Sequence, residues 1–142
     1  MGPVRILVVD DFEPWRRSIV SIIEEDPELQ VVHEASDGLE AVQMCQALQP
    51  DLVVLDVGLP KLCGLEVARR IRVDSPNSKI LFLSAIPSQD VMREALRIGA
   101  AGFMAKADVL RDLLPAVRAA VADQEFLRFR TSPELEADAP EE

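Results

Sequence analysis

Two rhythms alternate along the chain. Continuous apolar runs read as strands buried on both faces, and apolar residues three and four apart read as helices lying on a sheet. The first run, Val4-Arg5-Ile6-Leu7-Val8-Val9, stops at Asp10-Asp11. Trp15, Ile19, Ile22 and Ile23 then follow helical spacing as far as Asp26-Pro27. Gln30 to Glu34 makes a short second strand, and Ser36-Asp37-Gly38 opens a helix with Ala41, Cys45 and Leu48 on one face. Pro50 separates that helix from Leu52-Val53-Val54-Leu55, which ends on Asp56; Gly58 and Pro60 break regular structure just after it. The third helix spans Gly64 to Arg72, with Leu65, Ala68 and Ile71 inward. A turn at Ser75-Pro76-Asn77 leads into a fourth strand, Lys79 to Leu83, ending on Ser84. Ser88 can cap a fourth helix carrying Val91, Ala95 and Ile98, which Gly99 stops. Gly102-Phe103-Met104-Ala105 is a fifth strand ending at Lys106. The fifth helix puts Leu110, Leu113, Leu114, Val117 and Val121 along one stripe, and Pro115 within it predicts a late start or a kink.

Repeated strand–helix units with right-handed crossovers give an α/β fold, a parallel sheet covered by helices on both faces. Asp10, Asp11, Asp56, Ser84 and Lys106 then fall at the carboxyl ends of strands. In open α/β sheets that edge is where ligands bind.

Composition narrows the class. A chain of 142 residues that is 49% hydrophobic suits one domain with one core. No apolar run approaches the ~20 residues of a membrane span, and the N-terminus enters a strand almost at once, which predicts a cytoplasmic protein without a membrane partner. Cys45 and Cys63 lack metal-ligand spacing and read as reduced. A net charge of −10 argues against direct nucleic-acid binding but suits a cationic metal.

Clustered carboxylates repel one another, so Asp10, Asp11 and Asp56 call for a cation, and all-oxygen ligands with room for water suit Mg²⁺. Lys106 supplies a positive charge for an anionic oxygen and Ser84 a hydroxyl. A carboxylate nucleophile, a divalent metal, a lysine and a hydroxyl together make a phosphoryl-transfer site whose product is an aspartyl phosphate.

These residues, with Leu59-Pro60 and Gly64 after Asp56 and with Gly102-Phe103-Met104-Ala105-Lys106, resemble the receiver domain of two-component response regulators over about residues 4 to 122. Glu34-Ala35-Ser36-Asp37-Gly38 and Gly99-Ala100-Ala101-Gly102-Phe103 look most like receivers that precede a LuxR-type helix-turn-helix domain. The resemblance implies a flavodoxin-like five-stranded sheet of order 2-1-3-4-5 with five helices. It implies that Asp56 accepts phosphate from a histidine kinase or phosphotransfer protein. Asp11, Asp56 and the Gly58 carbonyl would bind Mg²⁺, with Asp10 acting mostly through water. Lys106 would hold the phosphoryl group, and Ser84 and Phe103 would be a switch pair, Phe103 turning inward as Ser84 moves. It further implies that the residues two after Asp56 and two after Ser84, here Gly58 and Ile86, govern hydrolysis of the product, so autodephosphorylation should be slow. The protein is thus expected to assist its own phosphorylation without being an enzyme in the ordinary sense. The alternative is a receiver that binds proteins without phosphate.

Departures and rivals sharpen the expectation. Ala107 stands where many receivers have proline, and Ser84 replaces the commoner threonine. A flavodoxin needs a hydroxyl- and glycine-rich phosphate loop after the first strand, and Asp11-Phe12-Glu13-Pro14 would repel phosphate. A haloacid-dehalogenase-like phosphatase needs a second acid two residues after its nucleophile, where Gly58 stands. His33 reads as a strand residue without chemistry, Trp15 as packing, and Arg16 and Arg17 as a solvated face. Beyond the receiver at 1–122, residues 123–142 read as a helical extension and acidic tail. The fifth helix is expected to run on through Phe126, Leu127 and Phe129, which would support a homodimer.

Overall fold

The computed structural model describes residues 2–122 together with the backbone of Phe126–Arg128. Strands β1 (Val4–Val9), β2 (Leu29–Ala35), β3 (Leu52–Asp56), β4 (Lys79–Ser84) and β5 (Gly102–Ala105) alternate with helices α1 (Glu13–Ile23), α2 (Gly38–Leu48), α3 (Gly64–Asp74), α4 (Gln89–Ile98) and α5 (Val109–Val121). The five strands are parallel in the order 2-1-3-4-5, and a short strand β6 (Phe126–Arg128) extends the sheet beyond β5.

Period-two alternation along each strand divides the core between the faces of the sheet. Leu7, Val9, Val53, Leu55, Ile80, Phe82 and Phe103 pack with Ala41, Cys45, Val67, Ala68, Ile71 and Ala95 of α2, α3 and α4. Ile6, Val8, Leu52, Val54, Leu81, Leu83 and Met104 pack with Ile19 and Ile23 of α1 and with Leu113, Ala116 and Val117 of α5. Burial on both sides explains why these strands read as unbroken apolar runs. Burial also pushes the Cys45 thiol up to about 12, with the Asp74 charge adding to it, so this cysteine is an inert core residue.

Local signals set the boundaries. Asp37 caps α2 by accepting from the Glu40 amide at 2.8 Å, and Ser88 caps α4 by accepting from the Val91 amide at 3.1 Å. Gly99 ends α4 at φ 105°, a conformation open to glycine.

The C-terminal part differs from expectation. Helix α5 runs through Pro115 without a late start, because a single 3₁₀ turn, Lys106–Asp108, leads straight into it and Pro115 lies on the exposed side. Leu110 is 82% exposed, outside the packed stripe. Helix α5 ends at Val121, and Phe126–Arg128 pair in parallel with Gly102–Met104. A continuous helix therefore does not cover residues 126–128, and the basis for a helix-mediated homodimer falls there. The outer edge of β5 offers hydrogen bonds to this segment that helical periodicity alone does not reveal. Residues 123–125, Phe129 and the acidic tail lie outside the described residues.

Candidate functional site

Register brings the strand ends level. Val9 lies opposite Leu55, so Asp10 follows β1 where Asp56 ends β3. Asp56 lies opposite Leu83, and Ser84 opposite Ala105, the residue before Lys106. One rim of the sheet thus carries all five positions. Ligand oxygens of Asp10, Asp11 and Asp56 lie within 4.8 Å of one another.

The environments of these carboxylates differ. Asp10 is fully buried, Asp56 is 4% exposed, and Asp11 faces solvent. The Oδ1 of Asp10 accepts from the Phe12 amide at 2.9 Å. Among the described residues its Oδ2 has no other hydrogen-bond partner, and it faces Lys106 Nζ at 2.7 Å. The same ammonium lies 3.2 Å from Asp56 Oδ2, while Asp56 Oδ1 accepts from the Gly58 amide at 3.2 Å. Lys106 therefore bridges the two buried acids.

Burial raises the Asp56 carboxyl above its ordinary value; the Asp10 charge adds to this and Lys106 opposes it. For Lys106, burial works against the charged form. The hydrogen bond to Asp10 and the charges of Asp56 and Asp10 outweigh it and raise the ammonium above its ordinary value.

The loop after β3 is held tightly to the site. The Gly64 amide donates to Val57 O at 2.8 Å. A Cβ on Gly64 would lie 2.2 Å from the Asp56 carbonyl oxygen and 2.8 Å from Val57 Cα, so only glycine permits this approach. Gly58 is exposed, and a Cβ there would meet nothing within 4 Å.

Ser84 is buried at the end of β4. Phe103 is not at the rim: its side chain is fully buried, tilted at 48° against Phe82 with ring centroids 6.5 Å apart. The inward pose expected only after a switch is already present, because β5 directs Phe103 into the core beneath α4. His33 pairs with Glu40 at 3.1 Å.

Arg16 is the residue that periodicity misplaced. Its side chain is 14% exposed, and its guanidinium donates to the Asp10 main-chain oxygen and to Glu34 Oε1, both at 2.9 Å. An arginine in the first turns of a helix supplies a solvated face equally well, so the sequence carried no sign of this contact.

The donor set fits a hard divalent ion. Two buried carboxylates and one exposed one converge on a rim that stays open beside Asp11 and Gly58, leaving room for water and an incoming phosphoryl group. Among the described residues no helix is long and apolar enough to cross a membrane.

Residues 6–118 match the family model of the response regulator receiver domain. The chain is 42% identical over 106 residues to a protein-glutamate methylesterase/protein-glutamine glutaminase of Myxococcus xanthus, covering 73% of this chain and 30% of the relative. It is 36% identical over 134 residues to the DNA-binding transcriptional activator DevR/DosR of Mycobacterium tuberculosis, covering 94% of this chain and 62% of the relative. The crystal structure of a LuxR-family two-component response regulator from Aurantimonas sp. SI85-9A1 superposes with a TM-score of 0.84 at 30% identity, covering 96% of this chain and 95% of that one. The chain spans less than two thirds of the length of these curated relatives. Its acidic rim, fold and extended similarity agree: the chain belongs to the response regulator receiver domains, the phosphoacceptor modules of two-component signalling.

Proposed function

We propose that Asp56 is the phosphorylated residue and that a sensor histidine kinase or phosphotransfer protein is the donor. The observation that carries this is the Lys106 ammonium bridging Asp10 and Asp56 at 2.7 and 3.2 Å on an open rim. Asp11, Asp56 and the Gly58 carbonyl would hold Mg²⁺, with Asp10 acting through water. Bound there, Mg²⁺ supplies charge neutralisation for the oxygens of the transferring group.

The chain's own residues perform the rest. A carboxylate oxygen of Asp56 attacks phosphorus, and the phosphorus–nitrogen bond of the donor phosphohistidine breaks. Its electron pair stays on the imidazole nitrogen, and with a proton on the other ring nitrogen the imidazole leaves neutral. Lys106 already rests beside both acids and moves only a short way to pair with a phosphoryl oxygen. Asp10 keeps that ammonium charged and aimed. Ser84 offers its hydroxyl to another oxygen of the product. With Phe103 already inward, the signal comes from Ser84 and the loop that follows it, and phosphate shifts a population rather than turning the ring.

Intact-mass measurement tests this reading. Incubation with acetyl phosphate and Mg²⁺ should add one phosphoryl mass, and EDTA should prevent it. An unmodified chain under both conditions favours a receiver that binds its partners without phosphate.

A further inference from the structure

Asp10 is held at every polar atom. Its amide donates to Ala35 O at 3.1 Å. Its Oδ1 accepts from Phe12 at 2.9 Å and its Oδ2 faces Lys106 at 2.7 Å. Its main-chain oxygen accepts from Arg16 Nη1 at 2.9 Å. Asp11 is different: it faces solvent, and its aim depends on the peptide planes on either side. The following plane is fixed through the Phe12 amide. The preceding plane carries the oxygen that Arg16 holds.

We propose that Arg16 is a positioning residue that fixes the Asp10–Asp11 peptide, so that the Asp11 carboxylate points at the divalent-ion site. The inference rests on the metal reading given above. Arg16 suits the task because its planar fork spans two elements. Nε donates to Glu34 Oε1, at the end of β2, while Nη1 reaches the end of β1. With one side anchored on Glu34, the other cannot rotate away from the carbonyl. Glu34 also neutralises the guanidinium, which leaves its geometry as the main contribution. Arg17, on the same helix, is 67% exposed and reaches Glu34 only at 4.0 Å.

Charge and geometry predict opposite signs. Removing a cation beside a metal site tightens Mg²⁺ binding if electrostatics governs. Freeing the peptide plane weakens it if positioning governs. Loss of an outer-sphere partner costs about 10- to 100-fold in metal affinity. Arg16 acts through the backbone rather than on a ligand atom, so about tenfold is expected.

The test is calorimetric titration of the whole chain with Mg²⁺ alone, on wild type, Arg16→Gln, Arg16→Lys and Arg17→Gln, each shown folded by circular dichroism. Arg16→Gln should bind about tenfold more weakly, Arg17→Gln should match wild type despite the same charge change, and Arg16→Lys should fall between. At saturating Mg²⁺, acetyl phosphate labelling of Arg16→Gln should return close to the wild-type rate. Unchanged or tighter binding in Arg16→Gln overturns the proposal. Should that variant not fold, wild-type affinity in Arg16→Lys does the same. A wild-type chain that binds no Mg²⁺ overturns the metal reading itself and this inference with it.

Discussion

Replacing Lys106 with methionine keeps the length of the stem and removes the one charge that both buried acids face. Asp10, fully buried, would lose the partner of its Oδ2, and Asp56 would keep only the Gly58 amide. Breaking a buried ion pair by deleting one partner costs about 3–5 kcal/mol. Lys106 is 18% exposed and the rim beside Asp11 is open to water, which screens the acids and brings the cost to the lower end of that range or just under it, about 2–4 kcal/mol. For a chain of 142 residues this lowers the melting temperature by roughly 5–15 °C.

The pH dependence follows from the same residues. Asp56 has a raised folded pKa, so its contribution to stability is full below the ordinary 3.8 and is lost as pH rises through the raised value. Without Lys106 that loss deepens, and the variant's deficit should be small near pH 3.8 and grow toward neutrality. In wild type, the raised Lys106 ammonium stabilises wherever the acids beside it are ionised, in full up to its ordinary 10.5, and that stability is lost as pH rises through its folded value. Thermal melts in EDTA across this range provide the assay. Added Mg²⁺ should restore much of the loss, since a cation then stands among the acids again. A melting temperature within about 2 °C of wild type at neutral pH, where a shift of roughly 5–15 °C is expected, would show that Lys106 does not hold the two acids. So would a deficit equal at every pH.

Further outcomes follow from neighbouring geometry. Gly64→Ala puts a Cβ 2.2 Å from the Asp56 carbonyl oxygen; overpacking of about 1–3 kcal/mol should exceed the helix-propensity gain, lowering both the melting temperature and the labelling rate, and an unchanged rate would show the approach to be slack. Gly58→Asn places an amide in open space beside Asp56, and with Ile86 85% exposed and apolar the wild-type product should persist for minutes or longer; ³²P decay should be faster in Gly58→Asn, and a wild-type half-life of seconds contradicts the account. Removing residues 123–142 deletes β6 and uncovers the β5 edge, so hydrogen exchange over Gly102–Ala105 should rise; identical exchange would show that β6 contributes nothing.

How much of this was legible in the sequence depends on which physics each residue expresses. Strands β1, β3, β4 and β5 are buried on both faces, so composition alone exposed them, and the acids and Lys106 could be placed because each ends or follows such a run. Ser88 and Gly99 announce their helix ends by local chemistry. Long-range geometry was not legible. Arg16 looks like any helical arginine until β1 and β2 are brought beside it. Leu110 fits the apolar stripe by spacing yet stands outside it, while its neighbour Val109 packs in the core. Phe103 sits inward because β5 alternation and the space against Phe82 decide its pose. Residues 126–128 follow a helical pattern in sequence but meet an open strand edge in space.

Chemical mapping of the acyl phosphate shows which aspartate carries the phosphate. The chain labelled with acetyl phosphate and Mg²⁺ is reduced with borohydride, which converts an aspartyl phosphate into homoserine, and is then digested and sequenced by tandem mass spectrometry. Homoserine is expected at position 56, with none at 10 or 11 and none anywhere in Asp56→Asn. Homoserine at another aspartate, or phosphoryl label retained in Asp56→Asn, would contradict it.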